Sequence, residues 1–186
     1  MSKKVELSPR TLMMPLPAAL VTCDDGGSKP NIIAISWIGI VCSEPPMLSI
    51  SIRKNRHSYA IVKKAGEFVV NLTSEDNLKA VDFCGTKSGR DYDKFKETNL
   101  TAVKGKVVKS PLLDECPINL ECRVKQSYLL GSHEMFIAEI VAVHIGEEYL
   151  DEKGRPDIDK IKPLAYCTGA SEYRGGLSRL YVRPNH

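Results

Sequence analysis

Two short runs rich in β-branched residues constrain this chain most. The first, residues 31 to 41, reads Asn-Ile-Ile-Ala-Ile-Ser-Trp-Ile-Gly-Ile-Val, and the second, residues 47 to 59, reads Met-Leu-Ser-Ile-Ser-Ile-Arg-Lys-Asn-Arg-His-Ser-Tyr. Both are too short for buried helices, so both read as strands. The segment Cys42-Ser43-Glu44-Pro45-Pro46 between them is a turn, because two prolines cannot continue a ladder.

Alternate side chains of a strand share a face. Leu48, Ile50 and Ile52 therefore point one way, and Ser49, Ser51 and Arg53 the other. This polar face runs into Lys54, Arg56 and His57. Ser58 follows as an N-cap candidate for a helix that carries Tyr59, Ile61 and Val62 and stops at Gly66. Hydroxyls and cations beside a helix N-terminus suit a dianion, since free N–H groups and the macrodipole add to the side-chain charge. Ser51, Arg53, His57 and Ser58 are thus candidates for a phosphate. A strand with one solvated face and an ordinary basic turn fits the same residues.

The length suits one domain over residues 1–186. A net charge of +3, with basic and acidic residues interleaved, argues against a nucleic-acid partner. No apolar run is long enough to span a bilayer, and Met-Ser-Lys-Lys-Val-Glu at the start has no signal-peptide core. The six cysteines (Cys23, Cys42, Cys84, Cys116, Cys122, Cys167) lack CxxC spacing and lie mostly in apolar stretches. They read as buried thiols of a cytoplasmic protein, not as disulfides or a metal site.

Taken in order, residues 18–22 form a strand and 24–28 a Gly-containing hairpin. Strands over 31–42 and 47–53, a helix over about 58–65 and a strand over 67–72 follow. Thr73-Ser74-Glu75-Asp76 starts a helix that ends at Gly85. Residues 86–98 read as irregular, either a plain loop or a functional flap, and 100–108 as a modest strand. Strand 118–130 alternates, with Asn119, Glu121, Arg123 and Lys125 on a wet face. Strand 133–145 is more central, 147–159 is a charged turn region, and a last strand covers 162–168 before a tail rich in Tyr, Arg and Gly. Many strands, few short helices and close-spaced turns make the chain mainly β, an antiparallel barrel. No GxGxxG follows a strand and there is no P-loop, so a nucleotide is not held in the Rossmann or Walker manner.

Several pieces occur together: Asn31-x-x-Ala34-x-Ser36-Trp37, Ser43-x-Pro45-Pro46, Ser51-x-Arg53 with His57-Ser58-Tyr59, and residues 67–72 (Glu-Phe-Val-Val-Asn-Leu). Further on come Asp82-Phe83-Cys84-Gly85, Asp93-Lys94-Phe95, and Gly131-Ser132-His133 running into Phe136-Ile137-Ala138-Glu139-Ile140. In this order and over most of the chain, they resemble the flavin reductase-like FMN-binding split-barrel family, flavoredoxin branch. The resemblance implies an antiparallel Greek-key split barrel, FMN as a non-covalent cofactor, and a homodimer with FMN near its interface.

An FMN site must neutralise a phosphate, cover an apolar ring and bond the ring's polar edge. By resemblance Lys94 joins the phosphate group, although an ordinary surface lysine is the bland reading. Asn31, Ala34, Ile35, Ser36 and Trp37 become edge and face contacts, with core packing the rival role for Trp37. Phe83, Cys84 and Gly85 close one side of the pocket, Cys84 as a packing residue without an activating base. His133 corresponds to a histidine near flavin and nicotinamide in similar reductases, and is the catalytic candidate. This chain has Ser132 where those enzymes often carry Asp and Ala138 where Gly is frequent, which weakens the carry-over of NAD(P)H use. Tyr166 is a late aromatic beside the ring, while His144 and His186 take structural readings. Three functions compete: an electron carrier exchanging with a redox protein, an NAD(P)H:flavin oxidoreductase, and a barrel for a non-flavin ligand.

Overall fold

The computed structural model describes residues 3–27 and 29–176. Ser28 of the first hairpin, the end of the tail and His186 lie outside the described residues. The strands β1 (Leu16–Pro17), β2 (Ala19–Cys23), β3 (Asn31–Ile35), β4 (Ile38–Cys42) and β5 (Met47–Arg53) come first. Helix α1 (His57–Ala65), strand β6 (Glu67–Leu72), and helices α2 (Leu78–Thr86) and α3 (Lys94–Thr98) follow. Then come the short strands β7 (Ala102–Val103) and β8 (Leu112–Leu113), and the long pair β9 (Ile118–Leu130) and β10 (His133–Ile145). Helix α4 (Ile158–Ile161) and strands β11 (Ala165–Cys167) and β12 (Glu172–Arg174) end the described chain.

One seven-stranded antiparallel sheet runs β3-β2-β6-β9-β10-β5-β4. The sequence expectation of one strand over 31–42 is corrected here, because Ser36 and Trp37 interrupt it. The consequence is large. β3 and β4 sit at opposite edges of the sheet, yet only two residues join them, and a chain advances at most about 3.6 Å per residue. The edges must therefore approach each other, and the sheet curls into a barrel. Trp37 extends the β4–β5 pairing by one rung, its carbonyl accepting a 3.0 Å bond from the Ser51 N–H. The connection from β5 through α1 to β6 crosses the barrel, as a Greek-key order requires.

The core follows from strand period. Leu48, Ile50 and Ile52 of β5 are buried with Val21, Phe68, Val70 and Phe136, while Ser49, Ser51 and Arg53 look away. α1 stops at Gly66, whose φ of 67° is left-handed backbone. Ser58 is not its cap: the helix begins one residue earlier with Arg56 in the cap position, and Ser58 is buried inside the first turn.

Other expectations also change. Asn119 and Glu121 of β9 are buried, because residues 104–113 cover that face. Buried polar groups require partners, and both have them. Asn119 Nδ2 donates to Asn71 Oδ1 and Leu113 O, and the Glu121 carboxylate accepts the N–H groups of Lys106, Val107 and Val108 and meets His144 Nε2 at 2.6 Å. This covering loop explains why 100–108 yields only β7, paired with β8. Residues 86–98 are not wholly irregular, since α3 starts at Lys94 with Asp93 capping the Lys96 N–H. The last strand shortens to β11, in a small sheet with β1 and β12.

Candidate functional site

The break at Ser36–Trp37 creates a recess. A cavity of about 570 Å³ lies against it, within the range of small-molecule sites. Ala34 to Trp37 form one wall, Ser51 and Arg53 from the outer face of β5 a second, and Asp82 and Gly85 of α2 a third. Tyr166 and Tyr173 of the small sheet, ring centroids 5.2 Å apart, complete it. β10 pairs with β5 so that His133 stands opposite Arg53. The His133 ring stacks on Trp37, and its Nδ1 lies 2.8 Å from Ser132 Oγ. Trp37 is 42% exposed and so is not core packing. Burial, and then the Arg53 charge, hold the His133 pKa below its ordinary value.

Arg56 joins this cavity to a second, about 130 Å³, at the N-terminus of α1. His57, Ser58, Lys87, Arg90 and Lys94 surround it. Asn31 Nδ2 donates to Ser58 Oγ at 2.7 Å, which fixes both side chains. Lys94 is only 4% exposed, and its ammonium donates to the carbonyls of Ile32 and Cys84, each at 2.8 Å. Burial lowers its pKa, as burial, Arg90 and Lys94 together lower that of His57. An ammonium has three donors, so Lys94 keeps one for a ligand. The pocket concentrates cations under partial desolvation, a setting in which an anion gains most.

The structure thus brings together most of the residues singled out in the sequence. Ala34, Ile35, Ser36, Trp37, Ser51, Arg53, Gly85, His133 and Tyr166 line the large cavity; Asn31, His57, Ser58, Cys84 and Lys94 line the small one. Phe83 lines neither, and its ring meets Tyr92 edge-on. The Cys84 thiol is pushed up to about 11 by burial, in keeping with a packing residue. Arg53 stands with His133 rather than in the cationic pocket, and Arg56 occupies the connecting position. Sequence reasoning missed Arg56 as a site residue, together with Lys87 and Arg90. The basic turn pointed to Arg56, but nothing local marks Lys87 or Arg90, which reach the pocket only because α2 ends there.

Residues 11–175 match the model of the flavin reductase like domain. The chain belongs to this family. An uncharacterized protein of Archaeoglobus fulgidus is 37% identical over 134 residues, 72% of this chain and 75% of its own. The flavoredoxin of Desulfovibrio vulgaris (Miyazaki F) superposes with a TM-score of 0.92 at 34% identity, covering 98% of each chain. A flavoredoxin from Methanosarcina acetivorans gives 0.90 at 28% identity, over 99% of this chain and 97% of its own. The fold of this flavin reductase-like chain is therefore the split barrel. The break that a strand reading of 31–42 overlooks is the one against which the large cavity of this chain lies.

Proposed function

We propose that this chain binds FMN non-covalently and moves electrons through it. The observation that carries the reading is the joined pair of cavities, one sized for a ring system and the other lined by cations at the end of α1. Membership of the flavin reductase-like family and the likeness to two flavoredoxins support it. Arg56, His57, Ser58 and Lys94 would hold the phosphate, with Lys87 and Arg90 adding charge. The backbone and small side chains of residues 34–36 would meet the ring's polar edge, and Trp37, His133 and Tyr166 would border its faces. Bound FMN would supply one- and two-electron redox chemistry, while the chain binds, orients and partly dries it.

Arg56→Ala tests this reading. Losing a charge-assisted bond to a phosphate costs about 1.5–3 kcal/mol, so FMN weakens by roughly ten- to a hundred-fold while riboflavin binding stays nearly unchanged. Arg53→Ala, acting at the ring cavity, should affect both flavins alike. A protein that quenches the fluorescence of neither flavin is a barrel for some other ligand.

A second reading, NAD(P)H:flavin oxidoreductase, is favoured by the position of His133 at the cavity border, where it could help orient a nicotinamide. His133→Ala would then slow reduction by NAD(P)H and spare both reduction by dithionite and FMN affinity. Stopped-flow mixing of the wild type with NADH and NADPH separates the two: no reduction within minutes leaves the carrier, which takes electrons from a redox protein.

A homodimer with FMN near the interface forms part of the proposal. β4 is an edge strand with Ile40 68% exposed, and the β9–β10 tip exposes Tyr128, Leu129 and Leu130. Leu130 pairs with His133, which places this apolar surface beside the large cavity. One domain over the chain agrees with the family match, and six free cysteines agree with a cytoplasmic location. Among the described residues, no helix is long and apolar enough to cross a membrane.

A further inference from the structure

Glu134 of β10 follows His133 in the chain but lies on the opposite face of the strand, where it is only 2% exposed. Its carboxylate accepts the Tyr59 hydroxyl at 2.5 Å, the Ser127 hydroxyl at 2.7 Å and the Lys63 ammonium at 3.1 Å. Tyr59 and Lys63 lie one turn apart on α1, and Ser127 lies on β9. Resting on the reading that the cationic pocket holds a flavin phosphate, we infer that Glu134 is a positioning residue for that site. Through Tyr59 it sets the direction in which the first turn of α1 presents Arg56, His57 and Ser58.

A buried carboxylate is a poor choice for stability alone, since apolar groups of similar volume often serve as well or better. Ile61 and Val62 already anchor α1 in the barrel core. Apolar contact is non-directional, however, and leaves rotation about the helix axis weakly defined. Two hydrogen bonds supply the direction. Ser58 is tied to Asn31 of β3 at 2.7 Å, and Tyr59, about 100° further round the axis, is tied to Glu134 of β10. The first turn is thus slung between two strands that are not neighbours in the sheet. Either bond alone would let the turn swing about the other. The Tyr59 N–H donates to the Arg56 carbonyl at 3.1 Å, so a shift at Tyr59 passes directly to the residue that joins the two cavities.

The carboxylate suits this task. The Tyr59 hydroxyl first, then Ser127 and Lys63, outweigh burial and bring its pKa down to about 2, which leaves an ionised acceptor for three donors. Lys63 is half exposed and adds little, so the Tyr59 bond is the directional one. The Tyr59 ring also meets that of Phe136, with centroids 6.1 Å apart. Removing only the hydroxyl therefore leaves the packing in place.

The test compares dissociation constants for FMN and riboflavin, by flavin fluorescence, in wild type, Tyr59→Phe, Glu134→Gln and Glu121→Gln. Tyr59→Phe removes the bond alone, so FMN should weaken by about ten-fold while riboflavin is unchanged. Glu134→Gln should act in the same direction, and the double variant should be no worse than the poorer single, since both remove one interaction. The phosphorus NMR resonance of bound FMN should move in Tyr59→Phe, which a loss of stability alone would not cause. Glu121→Gln alters a buried carboxylate that holds residues 106–108 instead of α1. It is the control for stability and should leave the ratio of FMN to riboflavin affinity at its wild-type value. If Glu134→Gln does not fold, Tyr59→Phe decides alone. Unchanged FMN affinity in Tyr59→Phe, equal weakening of both flavins, or the same fall in the ratio in Glu121→Gln would overturn the positioning role and leave the phosphate reading standing. FMN no tighter than riboflavin in wild type overturns that reading and the inference with it.

Discussion

Trp37 and His133 lie nearly parallel beside the large cavity, their ring centroids 6.2 Å apart and their planes 11° from parallel. One comes from the link between β3 and β4 and the other from the start of β10, so the stack joins two elements that flank β5.

Trp37 is the chain's single tryptophan. Its emission should therefore report the site directly: titration with FMN should quench it to a saturable floor, and riboflavin should do the same with a weaker constant. A strictly linear, non-saturating loss of emission would mean that no flavin binds beside Trp37.

His133 should titrate below the ordinary histidine value of 6.5, because burial and then the Arg53 guanidinium disfavour its charged form. In an NMR pH titration, Arg53→Gln should raise the midpoint of His133, since it removes a like charge. A midpoint that ignores the substitution would separate the two side chains electrostatically.

Lys94 predicts a stability effect that is independent of any ligand. Its ammonium is the hydrogen-bond partner given to the Ile32 and Cys84 carbonyls, and Lys94→Met strands them in a buried place. Leaving such groups unsatisfied costs about 1–3 kcal/mol each, so urea unfolding without flavin should show a loss on the order of 2–6 kcal/mol. A surface lysine would change stability by less than about 0.5 kcal/mol.

Glu121 makes stability fall in acid. Burial alone would raise its pKa, but the N–H of Val108, the His144 ring and the N–H groups of Val107 and Lys106 outweigh it and bring the carboxyl from 4.5 down to about 2. A depressed carboxyl pKa stabilises the fold fully above about pH 4.5, and this contribution is lost as pH falls toward 2. Glu121→Gln should cost about 1–3 kcal/mol at pH 7 and flatten the acid limb of the stability curve. Glu134 lies in the same low range, chiefly through the Tyr59 hydroxyl, so some acid dependence will remain.

The sequence by itself determined the β-rich barrel and the basic turn at one end of β5. Period-two alternation in Met47–Arg53 fixed which residues enter the core, and that inference needed no partner strand. The same local logic placed α1, its stop at Gly66 and the basic turn before it. The family resemblance added Lys94 and His133, which no local pattern could bring to the site.

Tertiary structure decided the rest, for reasons that periodicity does not carry. Ser36–Trp37 breaks the run 31–42 because the barrel must pass from one sheet edge to the other there, and both halves are equally apolar. Glu121 and Asn119 look solvated in an alternating strand, yet a distant loop supplies the N–H and carbonyl groups that make their burial tolerable. Arg56 rather than Arg53 reaches the cationic pocket because β5 ends at Arg53, and only the turn beyond it bends toward α1. Gly89 and Arg90 meet Asn31, His57 and Asn55 across more than thirty residues of chain, a contact set by where α2 ends. Local residue types chose the elements; long-range closure chose which of their side chains share a cavity.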